Sequence, residues 1–119
     1  MTDPAARSPR EVIEDHLAAV LTGDPAAMVA DYAPDALLVR HDASYEGTAV
    51  IAEYFTSVPR RLGSGEVQFG ERRHEGEGRI SVRWRIAGGP GDGTSGRDTF
   101  TVTGGLIVHQ TVTLDNADF

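Results

Sequence analysis

The chain has no cysteine among its 119 residues, so disulfides, thiolate nucleophiles and thiolate metal sites are excluded. Lysine is missing as well: all 11 basic residues are arginine, which rules out a side-chain Schiff base. No apolar run approaches the roughly 20 residues of a membrane span, and the opening MTDPAARSPR lacks the apolar stretch of a signal peptide. A soluble, cytoplasmic protein with no membrane partner is expected. Acidic residues outnumber basic ones 18 to 11, for a formal net charge of -7. With no face gathering enough arginine to track phosphates, nucleic acid is not an expected partner. The length fits one domain over 1–119, its core about 8–114, with a single pocket at most.

What is present begins with a helix signal. In SPREVIEDHLAAVLTGD, Ser8 can cap, Pro9 suits the first helical position and Glu11 stands where it can bond back to the cap, so residues 8–22 are read as helix. Val12, Ile13, His16, Leu17, Val20 and Leu21 recur at three- and four-residue steps along one stripe. Gly23 stops this helix, and Asp24 with Pro25 starts a second that carries Met28, Val29 and Tyr32. DALLVRHDAS reads as a strand. A third helix begins near Thr48 with Val50, Ile51, Tyr54, Phe55 and Val58 on its apolar side, and Pro59 should kink or end it.

Beyond Gly65 the period becomes two. In RISVRWRI, Ile80, Val82, Trp84 and Ile86 face one way and Arg79, Ser81, Arg83 and Arg85 the other. The Gly-rich AGGPGDGTSG links this strand to RDTFTVTGG and LIVHQTVTL, so the second half is read as an antiparallel meander of about four strands. Helices followed by strands indicate an α+β domain with the helices on one face of a curved sheet.

The GD helix junction, the second helix running into DYAPDALLV, the helix after YEG and the strand pair DTFTVTGGLIV together resemble the nuclear transport factor 2-like superfamily. The nearest branches are SnoaL-like polyketide cyclases and ketosteroid isomerases. That resemblance spans about Ser8 to Leu114. It implies a cone-shaped, cystatin-like α+β barrel of three N-terminal helices packed on a curved, mostly antiparallel sheet. The open end would take a steroid-, polyketide- or terpene-sized apolar molecule, no cofactor is implied, and homodimers through the outer sheet face are common.

Position by position, the resemblance puts His16 where isomerases keep a donor Tyr, Arg40 where they keep the Asp base, and Asp98 where SnoaL-like cyclases keep their proposed proton shuttle. Arg40 stays protonated and cannot be a base. Either it snorkels to solvent or it turns inward with Leu38, where it would neutralise Asp98 and offer N–H donors to an oxyanion. Asp98 shares a strand face with Phe100 and Val102, and a carboxylate buried there must pair, hydrogen-bond or stay protonated. His16 is either a satisfied core histidine or an acid–base group.

Tyr32, Tyr54, Phe55, Val82, Trp84 and Phe100 are candidate pocket walls, and by the family pattern Val108 and Gln110 also look into the cone. His41 and His109 should lie outside and His74 in a polar turn, so the histidines form no metal signature. Arg83 and Arg85 make the outer sheet face cationic. Two functions follow: an acid–base enzyme acting on a small apolar molecule, with His16 as proton carrier, Asp98 its partner or the alternate base and Arg40 the stabiliser, or a non-catalytic module that binds a small molecule or dimerises.

Overall fold

The computed structural model describes residues 7–115. Its order is α1 (Pro9–Thr22), α2 (Pro25–Val29), β1 (Tyr32–Val39), β2 (Ser44–Glu46), α3 (Thr48–Leu62), β3 (Glu66–Gly76), β4 (Arg79–Ala87), β5 (Ser95–Thr103) and β6 (Leu106–Leu114). α1 starts where its capping residues dictate. The Ser8 hydroxyl accepts from the Glu11 N–H at 3.2 Å, and the Glu11 carboxylate accepts from the Ser8 N–H at 2.9 Å. Gly23, at φ 74°, closes it in the left-handed conformation that glycine adopts at no steric cost.

The strands form one six-stranded sheet in the order β2-β1-β6-β5-β4-β3. β3 to β6 are the expected meander, and β1 lies parallel to β6, which places the N-terminal strand between β6 and the edge strand β2. The three helices pack on the curved sheet, which stays open, with β2 and β3 as its edges. Val12, Ile13, Leu17, Met28, Ile51 and Phe55 from the helices meet Ile80, Ile86, Phe100 and Ile107 from the sheet in the core. Among the described residues no helix is long and apolar enough to cross a membrane.

Several local expectations are corrected. The second helix ends at Val29, and Tyr32 opens β1 instead, paired with Ile107 of β6. β2, a three-residue strand against the end of β1, lies in a stretch too short and polar to show a period. α3 continues past Pro59 to Leu62, so the proline does not end the helix; the bond it removes is the one to the Phe55 carbonyl. Leu21 and Val50, counted on apolar stripes, remain exposed at helix ends.

Candidate functional site

The inner face of the sheet and the helices above it enclose a cavity. Its walls come from α1 (His16, Leu17, Val20), α3 (Tyr54, Phe55, Val58, Leu62), the end of β1 (Arg40) and strands β3 to β6, which supply Val67, Phe69, Trp84, Ile86, Asp98, Phe100, Gln110, Val112 and Leu114. Its volume is about 80 Å³, room for a small molecule.

Strand parity aims the polar side chains inward. Along β1, Ala36, Leu38 and then Arg40 are buried in turn, so Arg40 takes the inward alternative. On β5, Asp98 lies opposite Val82 of β4 and Val112 of β6, with Trp84 and Gln110 at the diagonal positions. Both reach it: the Trp84 indole N–H donates to Oδ1 at 3.0 Å, and the Gln110 amide N–H donates to Oδ2 at 3.2 Å.

A hydrogen-bonded chain continues behind Gln110. The Tyr32 hydroxyl donates to Gln110 Oε1 and lies 3.4 Å from His16 Nε2, while His16 Nδ1 is 3.0 Å from the Met28 carbonyl. A carbonyl only accepts, so the imidazole hydrogen sits on Nδ1, and Nε2 is left as an acceptor toward Tyr32. The His16 ring is held edge-on by Tyr32 and Phe100, with centroids 5.2 and 5.5 Å away.

The titration behaviour follows from burial. Asp98 is pushed up to about 7, mainly because its apolar surroundings disfavour the charge, although Trp84, Gln110 and the Arg40 field act the other way. His16, also fully enclosed, is pushed down to about 4 by the same desolvation, against the Met28 contact. At neutral pH it is an uncharged imidazole.

These shifts act on stability in opposite directions. A carboxyl that rises from 3.8 to about 7 on folding binds a proton the unfolded chain releases, so stability falls as pH rises through that window. A histidine that falls from 6.5 to about 4 leaves the extra proton on the unfolded chain, so stability falls as pH drops through that window. Where the windows overlap the two contributions offset one another. Asp98→Asn removes only the first. Over the acid window the variant should lose on the order of 3 kcal/mol more than wild type, and above pH 7 it should be the more stable of the two. Urea midpoints measured across pH check this, and parallel profiles for the two proteins would contradict it.

Arg40 occupies the other part of the wall. Its side chain is only 3% exposed; Nη1 donates to the Tyr54 hydroxyl at 3.4 Å, and Nε lies 3.4 Å from Asp42 Oδ1, whose side chain is 55% exposed. Tyr54 is itself enclosed, and burial raises its pKa despite the neighbouring guanidinium.

The structure thus brings His16, Arg40 and Asp98 to one cavity, with Tyr54, Phe55, Trp84, Phe100 and Gln110 beside them. Three expected wall residues are elsewhere. Tyr32 is buried behind the wall as the link between His16 and Gln110, and Val82 is packed in the core beside Asp98. Val108 falls at a bulge in the β5–β6 ladder, which turns Ile107 into the core in its place. His41 and His74 are exposed, and His109 is half-buried on the strand face opposite Gln110. Arg83 pairs with Asp115 of its own chain at 2.7 Å.

Sequence reasoning missed Gly96, which lies opposite Trp84 and leaves room for the indole that holds Asp98. A glycine inside a strand next to a tryptophan register was the available signal. It also missed the Met28 carbonyl, which nothing in the sequence marks.

A family model described as a SnoaL-like domain matches residues 13–110. No curated protein matches the sequence at a significant level. Among solved structures, a candidate polyketide cyclase of Sinorhizobium meliloti is 21% identical, with 86% of this chain and 93% of that one covered, at a TM-score of 0.75. A candidate isomerase of the SnoaL-like family from Agrobacterium tumefaciens is 20% identical, with 88% and 95% covered, at a TM-score of 0.73. TerC, co-crystallized with polyporic acid, is 19% identical, with 90% and 91% covered, at a TM-score of 0.76. At such identities the structural likeness concerns the fold.

Proposed function

We propose a function from one premise: this chain belongs to the SnoaL-like domain family. On that premise the cavity is an active site for proton transfer on a small, largely apolar molecule, of the kind used in isomerisation, cyclisation, dehydration or hydrolysis. The observation that carries the reading is Asp98, a carboxyl pushed up to about 7 on an apolar cavity wall and oriented by two N–H donors. A group that titrates near the working pH can both take a proton and return it. The names of the cyclase and isomerase relatives point the same way.

Asp98 is the acid–base group. Arg40 and Tyr54 supply positive potential and N–H or O–H donors where negative charge develops on a substrate oxygen. His16, neutral at working pH, supports Asp98 from a distance. When Asp98 is ionised, Gln110 donates to it and Tyr32 donates to Gln110. When Asp98 is protonated its O–H can donate to Gln110 once the Gln110 amide turns over: the amide N–H then donates to Tyr32, and the Tyr32 O–H is freed to donate to His16 Nε2, the acceptor at the end of the chain. His16, Tyr32 and Gln110 thereby accommodate both protonation states without an orphaned donor.

A substrate-independent experiment tests the proton-transfer role. In 5-nitrobenzisoxazole a base removes the ring C–H proton, the electron pair forms the nitrile and the N–O bond breaks to release a coloured phenolate. The rate should rise with pH through about 7 and level off above it, following the ionised form of Asp98. Binding of this probe without elimination would instead make the chain a non-catalytic small-molecule binder.

A further inference from the structure

His16 is a buried titratable group to which the proton transfer gives no step of its own. Its surroundings nevertheless fix its hydrogen. Nδ1 lies 3.0 Å from the Met28 carbonyl, which only accepts, so the hydrogen stays on Nδ1 and Nε2 presents a lone pair. Among the described residues the donor at that lone pair is the Tyr32 hydroxyl, 3.4 Å away, and Tyr32 has a single hydrogen to give. With Asp98 ionised, that hydrogen goes to Gln110 Oε1 and the Gln110 amide N–H goes to Asp98 Oδ2. The lone pair of His16 Nε2 is then left over. With Asp98 protonated and the amide turned, the Asp98 O–H donates to Gln110, Gln110 to Tyr32, Tyr32 to His16 Nε2 and His16 Nδ1 to Met28. The protonated arrangement thus holds one more bond among these groups than the ionised one. The Gln110 bond to the carboxylate favours ionisation, and the bond gained at His16 works against it.

None of the linking groups carries charge near neutrality: desolvation keeps His16 an imidazole, and burial raises the Tyr32 hydroxyl well above its ordinary pKa. The other titratable groups that face Asp98, Arg40 at the end of β1 and Tyr54 of α3, act on it through space and not through this chain, as Asp31 acts on Tyr32. Among the described residues β3, β4 and β6 bring no ionisable side chain to the cavity wall.

We infer that His16 is a positioning residue for the proton transfer: tied to the Met28 carbonyl through Nδ1, it draws the Tyr32 hydrogen to Nε2 and so holds Asp98 in its protonated form, the form that gives a proton to the ligand. The inference rests on Asp98 as the acid–base group and adds what regulates it. No proton travels along the chain. The hydroxyl and the amide turn, and only the direction of the bonds changes.

The test is the midpoint of Asp98, read in the whole chain from the carbon-13 shift of its carboxyl, which needs no substrate. His16→Leu removes the acceptor and should lower the midpoint by about one pH unit, the worth of about one hydrogen bond. A packing role alone gives the opposite sign, because leucine in place of imidazole makes the surroundings of Asp98 more apolar. Tyr32→Phe interrupts the same path and should lower the midpoint by a similar amount; it decides the matter by itself if His16→Leu does not fold. The double variant should fall no further than either single one. A midpoint unchanged or raised in either variant, or shifts that add in the double variant, would overturn the inference and leave Asp98 as the base. An ordinary aspartate midpoint in wild type would overturn both. Lowered midpoints in the variants, without turnover of 5-nitrobenzisoxazole by wild type, would uphold the hold of His16 on Asp98 and remove the catalytic reading.

Discussion

Asp98→Asn should lower the elimination of 5-nitrobenzisoxazole by about 10²-fold or more and abolish its rise with pH through the neutral range. Asparagine has the shape of aspartic acid but cannot accept the proton. It also fits the hydrogen bonds. Its amide oxygen can accept from Trp84 Nε1, and its N–H can donate to Gln110, the direction a protonated Asp98 would impose on the chain through Tyr32 to His16. The variant should therefore fold with the cavity intact, and a lost rate reads as lost chemistry. An unchanged rate with an unchanged pH profile would take the base away from Asp98.

The second large effect is expected at Gly96, well away from any charge. A Cβ on this residue would lie 2.7 and 3.0 Å from two atoms of the Trp84 ring and would press on the Thr113 carbonyl of β6. Backbone on a paired strand cannot step aside, so the indole has to move. Gly96→Ala should cost about 1–3 kcal/mol through overpacking. It should also disturb the bond from Trp84 to Asp98, which holds the carboxyl below where burial alone would put it. The pH midpoint of the elimination should then shift upward, and the fluorescence of Trp84, the chain's single tryptophan, should change. Gly70→Ala on β3 is the control. Its Cβ would meet Arg83 at an ordinary 3.6 Å, and its stability should stay within about 0.5 kcal/mol of wild type. Equal stability for the two variants would remove the packing argument.

The sequence made visible those features whose causes are local. The first helix is bounded by its own caps, Ser8 with Glu11 and then Gly23, and the structure places it at Pro9–Thr22. The period-two stretch around Trp84 became β4 with the expected residues inward, apart from Ser81, which is also buried and donates to Glu75. Parity along the strand put Arg40 in phase with Leu38. It failed at Val108, because a bulge inserts one residue and reverses the faces, and bulges are set by the partner strand. Tyr32 was misjudged for a related reason: its helical spacing from Met28 is real, but pairing with Ile107, far along the chain, draws it into β1.

For the site, the resemblance supplied the positions and physical chemistry supplied their states. His16 stood first as the proton carrier, with Asp98 as its partner or the alternate base, and residue types alone do not decide between them. Enclosure does, because desolvation drives a histidine toward its neutral form at the pH where it brings a carboxyl to its midpoint. The chain through Gln110 and Tyr32 joins residues from four elements, α1, β1, β5 and β6, so no linear pattern announces it.

The central claim is that a cavity carboxyl titrates near neutrality. Carbon-13 NMR of protein labelled at the aspartate carboxyl carbon, with the Asp98 resonance assigned by its loss in Asp98→Asn, measures this directly. The account predicts a midpoint of about 7 for that resonance. A midpoint near the ordinary aspartate value of about 3.9 would contradict it.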